Sequence, residues 1–312
     1  MNQEYAIRFR AMGCAGEVRL SPHADRESTA ETVLRAIPTR LEAWEQMLSR
    51  FRPTSELSRV NRTAGSWTKV GRTLFDVVRQ AKHAARLTAG LYNPLILPAL
   101  VAQGYDRDFS LVSRPAAFPP PRIASWEAVE LRSATAELRI PPDAALDLGG
   151  IGKGWAAHRL ADDLEPFGAC LVNLGGDIAA RGAPQGQPGW QVEIGDPHSA
   201  QPLGAIFLRS GSIVTSGVDY RRWQTQDGEM RHHIIDPRTG LPAQTDVLSI
   251  TVIHPEGAVA EAYAKAALIL GGTSGLRWLD EQWATPGLVI LSDGGVIATE
   301  TMQTRLSFVI ER

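Results

Sequence analysis

The stretch from Leu146 to Gly182, LDLGGIGKGWAAHRLADDLEPFGACLVNLGGDIAARG, decides how this chain is read. A short strand over 145–148 ends in a glycine-rich loop, Gly149, Gly150, Ile151 and Gly152. A helix then begins near Lys153 and runs to about 166, and an apolar strand over 169–174 closes on Gly175-Gly176-Asp177. Glycine lets the backbone approach a ligand closely and reach positive φ. The N–H groups at a helix start attract anions, above all phosphate, and Lys153 adds a positive charge. The stretch therefore reads as a phosphate cradle, with a crowded strand-to-helix turn as the plainer alternative.

Two known phosphate motifs can be tried on it. A Walker A loop would need Gly at 147 and Ser or Thr at 154, where Asp147 and Gly154 stand. A dinucleotide fingerprint nearly fits, as Gly152-x-Gly154-x-x-Ala157 with Asp177 further on. No serial strand–helix–strand pattern follows, so a Rossmann-type oxidoreductase is kept only as a remote alternative.

Outward from this centre, residues 5–20 alternate as strands around Met12-Gly13, and 26–48 have helical spacing with Pro38 as a kink or boundary. Ser55 caps a short helix, and 71–89 form an amphipathic helix. Prolines make 90–122 largely irregular. Short strands follow near 127–132, 136–140, 190–195, 204–209, 212–215, 231–235, 247–254, 287–291 and 295–299, with helices at 258–270 and 273–281. The expected fold is α+β, a mixed, largely antiparallel sheet core with packed helices, in one domain over 1–312. Its helical part covers about 22–122 and its sheet-rich part about 123–312.

Two further segments carry chemistry. Val214-Thr215-Ser216-Gly217 ends a strand with two hydroxyls and a glycine, suited to phosphate or a heterocycle. In Arg231-His232-His233-Ile234-Ile235-Asp236-Pro237-Arg238-Thr239-Gly240, adjacent strand residues face opposite ways, so only one histidine can serve a given site. Such a histidine can take a proton from a nucleophilic hydroxyl.

Lys and Arg number 32 against 34 Asp and Glu, which argues against a nucleic-acid binder or an anionic-membrane binder. The two cysteines, Cys14 and Cys170, form no metal or redox motif and read as small thiols, one disulfide being the alternative. No apolar run is long enough for membrane insertion. The chain as it stands reads as cytoplasmic, or as periplasmic if a leader precedes it.

Taken in order, these segments resemble the ApbE family of bacterial flavin transferases. The resemblance rests on Ala11-Met12-Gly13, Leu48 to Asn61 (LSRFRPTSELSRVN), Leu146 to Trp155, Leu171 to Asp177, Thr215 to Gly217 and His233 to Gly240. It implies an ApbE-like architecture related to the T-fold. It also implies an enzyme that binds FAD and Mg²⁺ and moves FMN onto a Thr or Ser hydroxyl of an acceptor flavoprotein, releasing AMP. The family's flavin-binding loops fall on Met12, Phe51, Gly149, Gly150, Ile151, Gly152, Lys153, Gly175, Gly176, Asp177, Thr215, Ser216 and Gly217. Its histidine falls on His233, expected to activate the acceptor hydroxyl.

The metal site departs from the family. A carbonyl in the loop at Gly152 would act with an Asp and a Thr spaced i,i+4 on the later helix, where Glu261 and Lys265 stand instead. Glu lengthens the arm, and an ammonium offers no lone pair. In one reading Lys265 replaces part of the metal's charge and pairs with the pyrophosphate or with Glu261. In the other, Glu261 and Lys265 are a surface pair and other oxygens hold the metal. Alternatives to transfer are an FAD hydrolase and an FAD-binding homologue that has lost it.

Overall fold

The structure, a computed structural model, describes residues 3–199 and 201–309. In chain order the first elements are β1 (Tyr5–Ala11), β2 (Cys14–Pro22), α1 (Ala30–Arg35), α2 (Ile37–Leu48), α3 (Glu56–Arg62), β3 (Thr68–Lys69), α4 (Arg72–Leu87) and α5 (Leu97–Ala102). Then come β4 (Glu130–Arg132), β5 (Glu137–Arg139), α6 (Gly152–Leu164), β6 (Gly168–Leu174), β7 (Asp177–Arg181), β8 (Trp190–Ile194), β9 (Gly204–Leu208) and β10 (Ser210–Gly217). The remainder are β11 (Arg222–Gln224), β12 (Met230–His232), β13 (Ile235–Asp236), β14 (Leu241–Pro242), β15 (Val247–His254), α7 (Gly257–Leu270), α8 (Gly272–Glu281), β16 (Gly287–Leu291), β17 (Val296–Ala298), α9 (Glu300–Gln303) and β18 (Leu306–Val309). They form two compact units. One comprises the chain through Glu42, Lys153–Gly217 and the chain from Asp246; the other comprises Ala43–Gly152 and Val218–Thr245.

The first unit is built on an eight-stranded sheet in the order β1-β2-β6-β7-β10-β15-β16-β17. Every neighbouring pair is antiparallel. A Rossmann sheet needs parallel strands joined by crossover helices, so that alternative is excluded. The β1–β2 hairpin turns on Met12 and Gly13, both left-handed at φ 52° and 69°, as the twist of a tight hairpin requires. The β6–β7 hairpin turns on Gly175 and Gly176 at φ 65° and 93°.

Register then gathers these turns. Ala11 faces Cys14, Gly16 faces Leu174, Leu174 faces Asp177, Ile178 faces Ile213, and Gly217 faces Ser249. The two glycine turns, Asp177 and Thr215–Gly217 therefore fall at one end of the same sheet. On the sheet lies α7, against β10 and β15, with Ala260, Ala262, Ala264 and Ala266 all fully buried. Apolar side chains such as Leu171, Trp190, Val192, Ile206, Ile213, Ile253 and Met302 pack the large sheet against the β18-β9-β8 sheet. Each contributes roughly 1.5–3 kcal/mol by burial.

The second unit carries the β3-β5-β4 sheet and the helices α3, α4 and α5. The Ser55 side chain accepts the Ser58 N–H at 2.9 Å and caps α3 as expected. Leu100, Tyr105, Trp223 and Ile235 form part of its core.

Some expectations need correction. The helix over 26–48 is instead a 3₁₀ stretch through Thr29 followed by two α-helices, divided at Ala36, with Pro38 in the first turn of α2 where its missing N–H is harmless. Residues 145–148 pair with no strand. Leu146 instead exchanges two hydrogen bonds with the Asn61 side chain, at 2.8 and 3.0 Å, and Asp147 donates its N–H to the Pro94 carbonyl at 2.8 Å. The segment 231–235 splits at His233 and Ile234 into β12 and β13. Among the described residues there is no disulfide, and no helix is long and apolar enough to cross a membrane.

Candidate functional site

In the first unit, four charged side chains from three elements converge. Lys153 stands in the first turn of α6, Asp177 opens β7, and Glu261 and Lys265 lie one turn apart on α7. Lys153 Nζ is hydrogen-bonded to Asp177 Oδ2 and lies 3.7 Å from Glu261 Oε1. Lys265 Nζ donates to the same Glu261 oxygen at 3.1 Å. The carboxylate side chains are 1–2% exposed, whereas Lys153 and Lys265 keep 18% and 16%. The cluster is layered, with the acid groups sealed beneath and the lysine side chains keeping some exposure.

Glu261 also performs a backbone task. Its Oε2 accepts the Gly154 N–H at 3.0 Å, one of the donors that a helix start leaves without an internal partner. A carboxylate at that position is further favoured by the helix dipole. The approach depends on glycine, because a Cβ on Gly154 would strike the Gly257 carbonyl and a Cβ on Gly257 would strike the Gly154 carbonyl. Gly149, Gly150, Gly152 and Gly154 all avoid positive φ, so for Gly154 close packing, not a left-handed turn, is the reason for glycine.

Burial raises both carboxyls, and their neighbours separate them. Asp177 is pushed up to about 6 by burial, with Lys153 pulling down and Glu261 pushing up. Glu261 is also raised by burial, but the Lys265 and Lys153 ammonium groups and the Gly154 N–H outweigh that, and it lies below the usual range. Asp177 Oδ1 is buried with no hydrogen-bond partner among the described residues.

These residues do not fit Mg²⁺. Both Glu261 oxygens are engaged by donors, and Lys265 is itself one of those donors. A divalent ion about 4 Å from one ammonium group would meet a repulsion of roughly 8 kcal/mol at an effective dielectric of 20. Among the described residues no group of three or more His, Cys, Asp or Glu side chains could hold a metal ion. In this structure Glu261, expected to act on a metal with the Gly152 carbonyl, is an ion-paired tertiary helix cap. The surface-pair reading also fails, since Glu261 is only 1% exposed.

Other expected residues of this unit lie at the sheet end already described. Asn173 Oδ1 holds the Gly176 N–H at 2.9 Å and shapes that turn. Thr215 is exposed and its hydroxyl meets the Thr251 hydroxyl at 2.9 Å, while Ser216 is buried. Met12 is half-buried.

The second unit holds Phe51, Gly149–Gly152 and His233. Here the sequence reading missed an organising ion pair. Arg50 Nε lies 2.6 Å from Asp147 Oδ2, both side chains being 10% exposed or less. Asp147 Oδ1 accepts the Gly149 N–H at 2.8 Å. Arg50 also donates to the Tyr105 carbonyl at 2.9 Å and stacks over the Phe51 and Tyr105 rings, 4.1 and 4.6 Å from their centroids. Phe51 remains 38% exposed. The quoted Ser-Arg-Phe-Arg stretch was the available signal, but nothing in it names Asp147 as partner.

The two histidines sit in different surroundings. His232 is held inside, with Nδ1 accepting the Ile234 N–H at 3.3 Å and Nε2 meeting the Ala243 carbonyl at 3.1 Å. Burial lowers its pKa, so it is neutral and committed. His233 is half-buried and its backbone N–H donates to the Arg221 carbonyl at 3.3 Å.

Comparison with known proteins gives a consistent result. The ApbE family profile matches residues 4–288. An FAD:protein FMN transferase of Treponema pallidum is 31% identical, over 99% of this chain and 92% of that protein. One from Salmonella typhimurium is 30% identical, over 75% of this chain and 70% of the relative. Among solved structures, the ApbE protein of Thermotoga maritima superposes with a TM-score of 0.83 at 26% identity, covering 97% of this chain and 99% of that one. The flavin transferase ApbE of Vibrio cholerae shares the fold with a TM-score of 0.82, over 97% and 99% of the two chains. The chain belongs to the ApbE family.

Proposed function

We propose that this chain is an FAD:protein FMN transferase, with residues 1–312 acting as one functional domain. The observation that carries the reading is the layered cluster of Lys153 and Lys265 over Asp177 and Glu261, in a unit whose glycine turns share one sheet end. Family membership and the names of the relatives support it. Phosphoryl transfer calls for positioning and charge balance more than covalent help, and ammonium groups above buried acids provide charge balance.

In the proposed reaction, the hydroxyl oxygen of an acceptor Thr or Ser bonds to the FMN-side phosphorus of FAD. The bond from that phosphorus to the bridging oxygen breaks, and AMP leaves with the electron pair. The hydroxyl proton passes to a base, for which His233 is the proposed group. Lys153 and Lys265 balance the developing phosphate charge. Met12, Gly175, Gly176, Asp177 and Thr215 to Gly217, all in the first unit, are the proposed contacts for FAD.

The test is incubation of the purified chain with FAD and a peptide library bearing a central Thr or Ser. FMN in phosphoester linkage on the peptide, with an equal amount of AMP, supports transfer. The departures at Glu261 and Lys265 favour a second reading, altered chemistry on the same substrate. AMP with only free FMN would identify a hydrolase, and bound, intact FAD would identify a binding protein.

A further inference from the structure

We propose that the Lys153 and Lys265 ammonium groups take the place of a divalent cation, so that FAD is bound and cleaved without metal. The inference rests on the FAD reading above and adds how that site balances charge. Three observations carry it.

Both Glu261 oxygens already serve donors: Oε2 accepts the Gly154 N–H at 3.0 Å, and Oε1 accepts from Lys265 at 3.1 Å with Lys153 at 3.7 Å, so a cation on either would share it with a positive or N–H donor. The cluster pairs two ammonium groups with two carboxylates, and a further cation placed there would sit against both ammonium groups. Its layering sets the direction in which it acts. The carboxylates are sealed beneath, and the lysine side chains are the part that keeps contact with solvent. An anion approaching from outside meets ammonium groups and the start of α6, a helix of 13 residues. The group that fits this face is a pyrophosphate diester. With FAD and an acceptor hydroxyl, the P–O bond to AMP breaks as the new P–O bond forms, and one proton is released. No further reactant is needed.

The experiment is calorimetric titration of FAD into the purified protein, in EDTA and again in excess MgCl₂, with Lys265→Arg and Lys265→Met as variants. The expected result for the unmodified protein is the same FAD affinity, within twofold, in both buffers. Lys265→Arg should stay within about fivefold, and Lys265→Met should lose about tenfold or more in EDTA, the scale of a charge-assisted hydrogen bond. Binding that falls tenfold in EDTA and returns with MgCl₂ overturns the inference while leaving the FAD reading intact. Binding in neither buffer overturns both. Should Lys265→Met fail to fold, Mn²⁺ titration followed by electron paramagnetic resonance decides the point. One equivalent of Mn²⁺ bound to the FAD complex, and lost in Glu261→Gln, overturns the proposal; no Mn²⁺ bound at micromolar concentration supports it.

Discussion

Glu261 on α7 accepts the Gly154 N–H of α6 at 3.0 Å, so the start of one helix is capped by a side chain from another. Replacing Glu261 by Ala would strand that N–H and leave Lys265 and Lys153 without their shared carboxylate. Removing one partner of a buried ion pair costs about 3–5 kcal/mol. Urea unfolding should show a loss in that range for Glu261→Ala and a smaller one for Glu261→Asp, whose shorter arm pulls back from the N–H. A loss below about 1 kcal/mol for the Ala variant would contradict the capping role.

The same helix pair predicts a contrast between glycines. Gly154→Ala drives a Cβ into the Gly257 carbonyl, whereas a Cβ at exposed Gly195 meets nothing within 4 Å. Gly154→Ala should cost about 2 kcal/mol or more, and Gly195→Ala should stay within about 0.5 kcal/mol. Thermal melts of the two variants side by side would check this.

Arg50 and Asp147 form a second buried pair, 2.6 Å apart. Arg50→Met leaves Asp147 as an uncompensated buried charge and should destabilise by about 3 kcal/mol. Arg50→Lys keeps the charge but loses the planar fork that reaches Asp147 and the Tyr105 carbonyl together. Its stability should fall between those of the parent and the Met variant. Equal stabilities for parent and Met variant would be incompatible with this account.

Burial holds the Asp177 carboxyl up at about 6, against an ordinary value of 3.8. A carboxyl raised in the folded state adds stability below its unfolded pKa and loses it as pH climbs through the folded one. The difference in unfolding free energy between the parent and Asp177→Asn should therefore decline from pH 4 to pH 7, by at most about 3 kcal/mol. A difference that grows with pH would reverse the assignment.

The Cys170 thiol is pushed up to about 12 by burial. The thiolate is the reactive form, so at pH 8 a disulfide-exchange reagent should leave Cys170 unmodified until denaturant is added. Mass spectrometry of the digested protein reads this directly.

The legibility of the chain follows from how local each cause is. Hairpins such as β1–β2 and β16–β17 carry their glycine turns in the sequence, and the amphipathic α4 carries its own periodicity. Residues 145–148 deceived because their backbone bonds go to the Asn61 side chain and to Pro94, partners that no window around 146 contains. The strands β7 and β18 were overlooked, β7 because five residues after a glycine turn resemble the tail of that turn. At the site, the oddity of Glu261 and Lys265 was visible from residue types alone. Its meaning was not, since the Gly154 N–H stands 107 positions away. The Arg50–Asp147 pair was hidden by the same distance in sequence.

The reciprocal contact of Gly154 and Gly257 has a mechanical consequence. Where two helices are spaced by side chains, rotamer hops let the spacing breathe. Here the nearest atoms are backbone on both sides, and backbone has no rotamers. The joint beneath Lys153 and Glu261 therefore has little play: the spacing of the two backbones is set by van der Waals radii, and only the side chains above it are left to adjust.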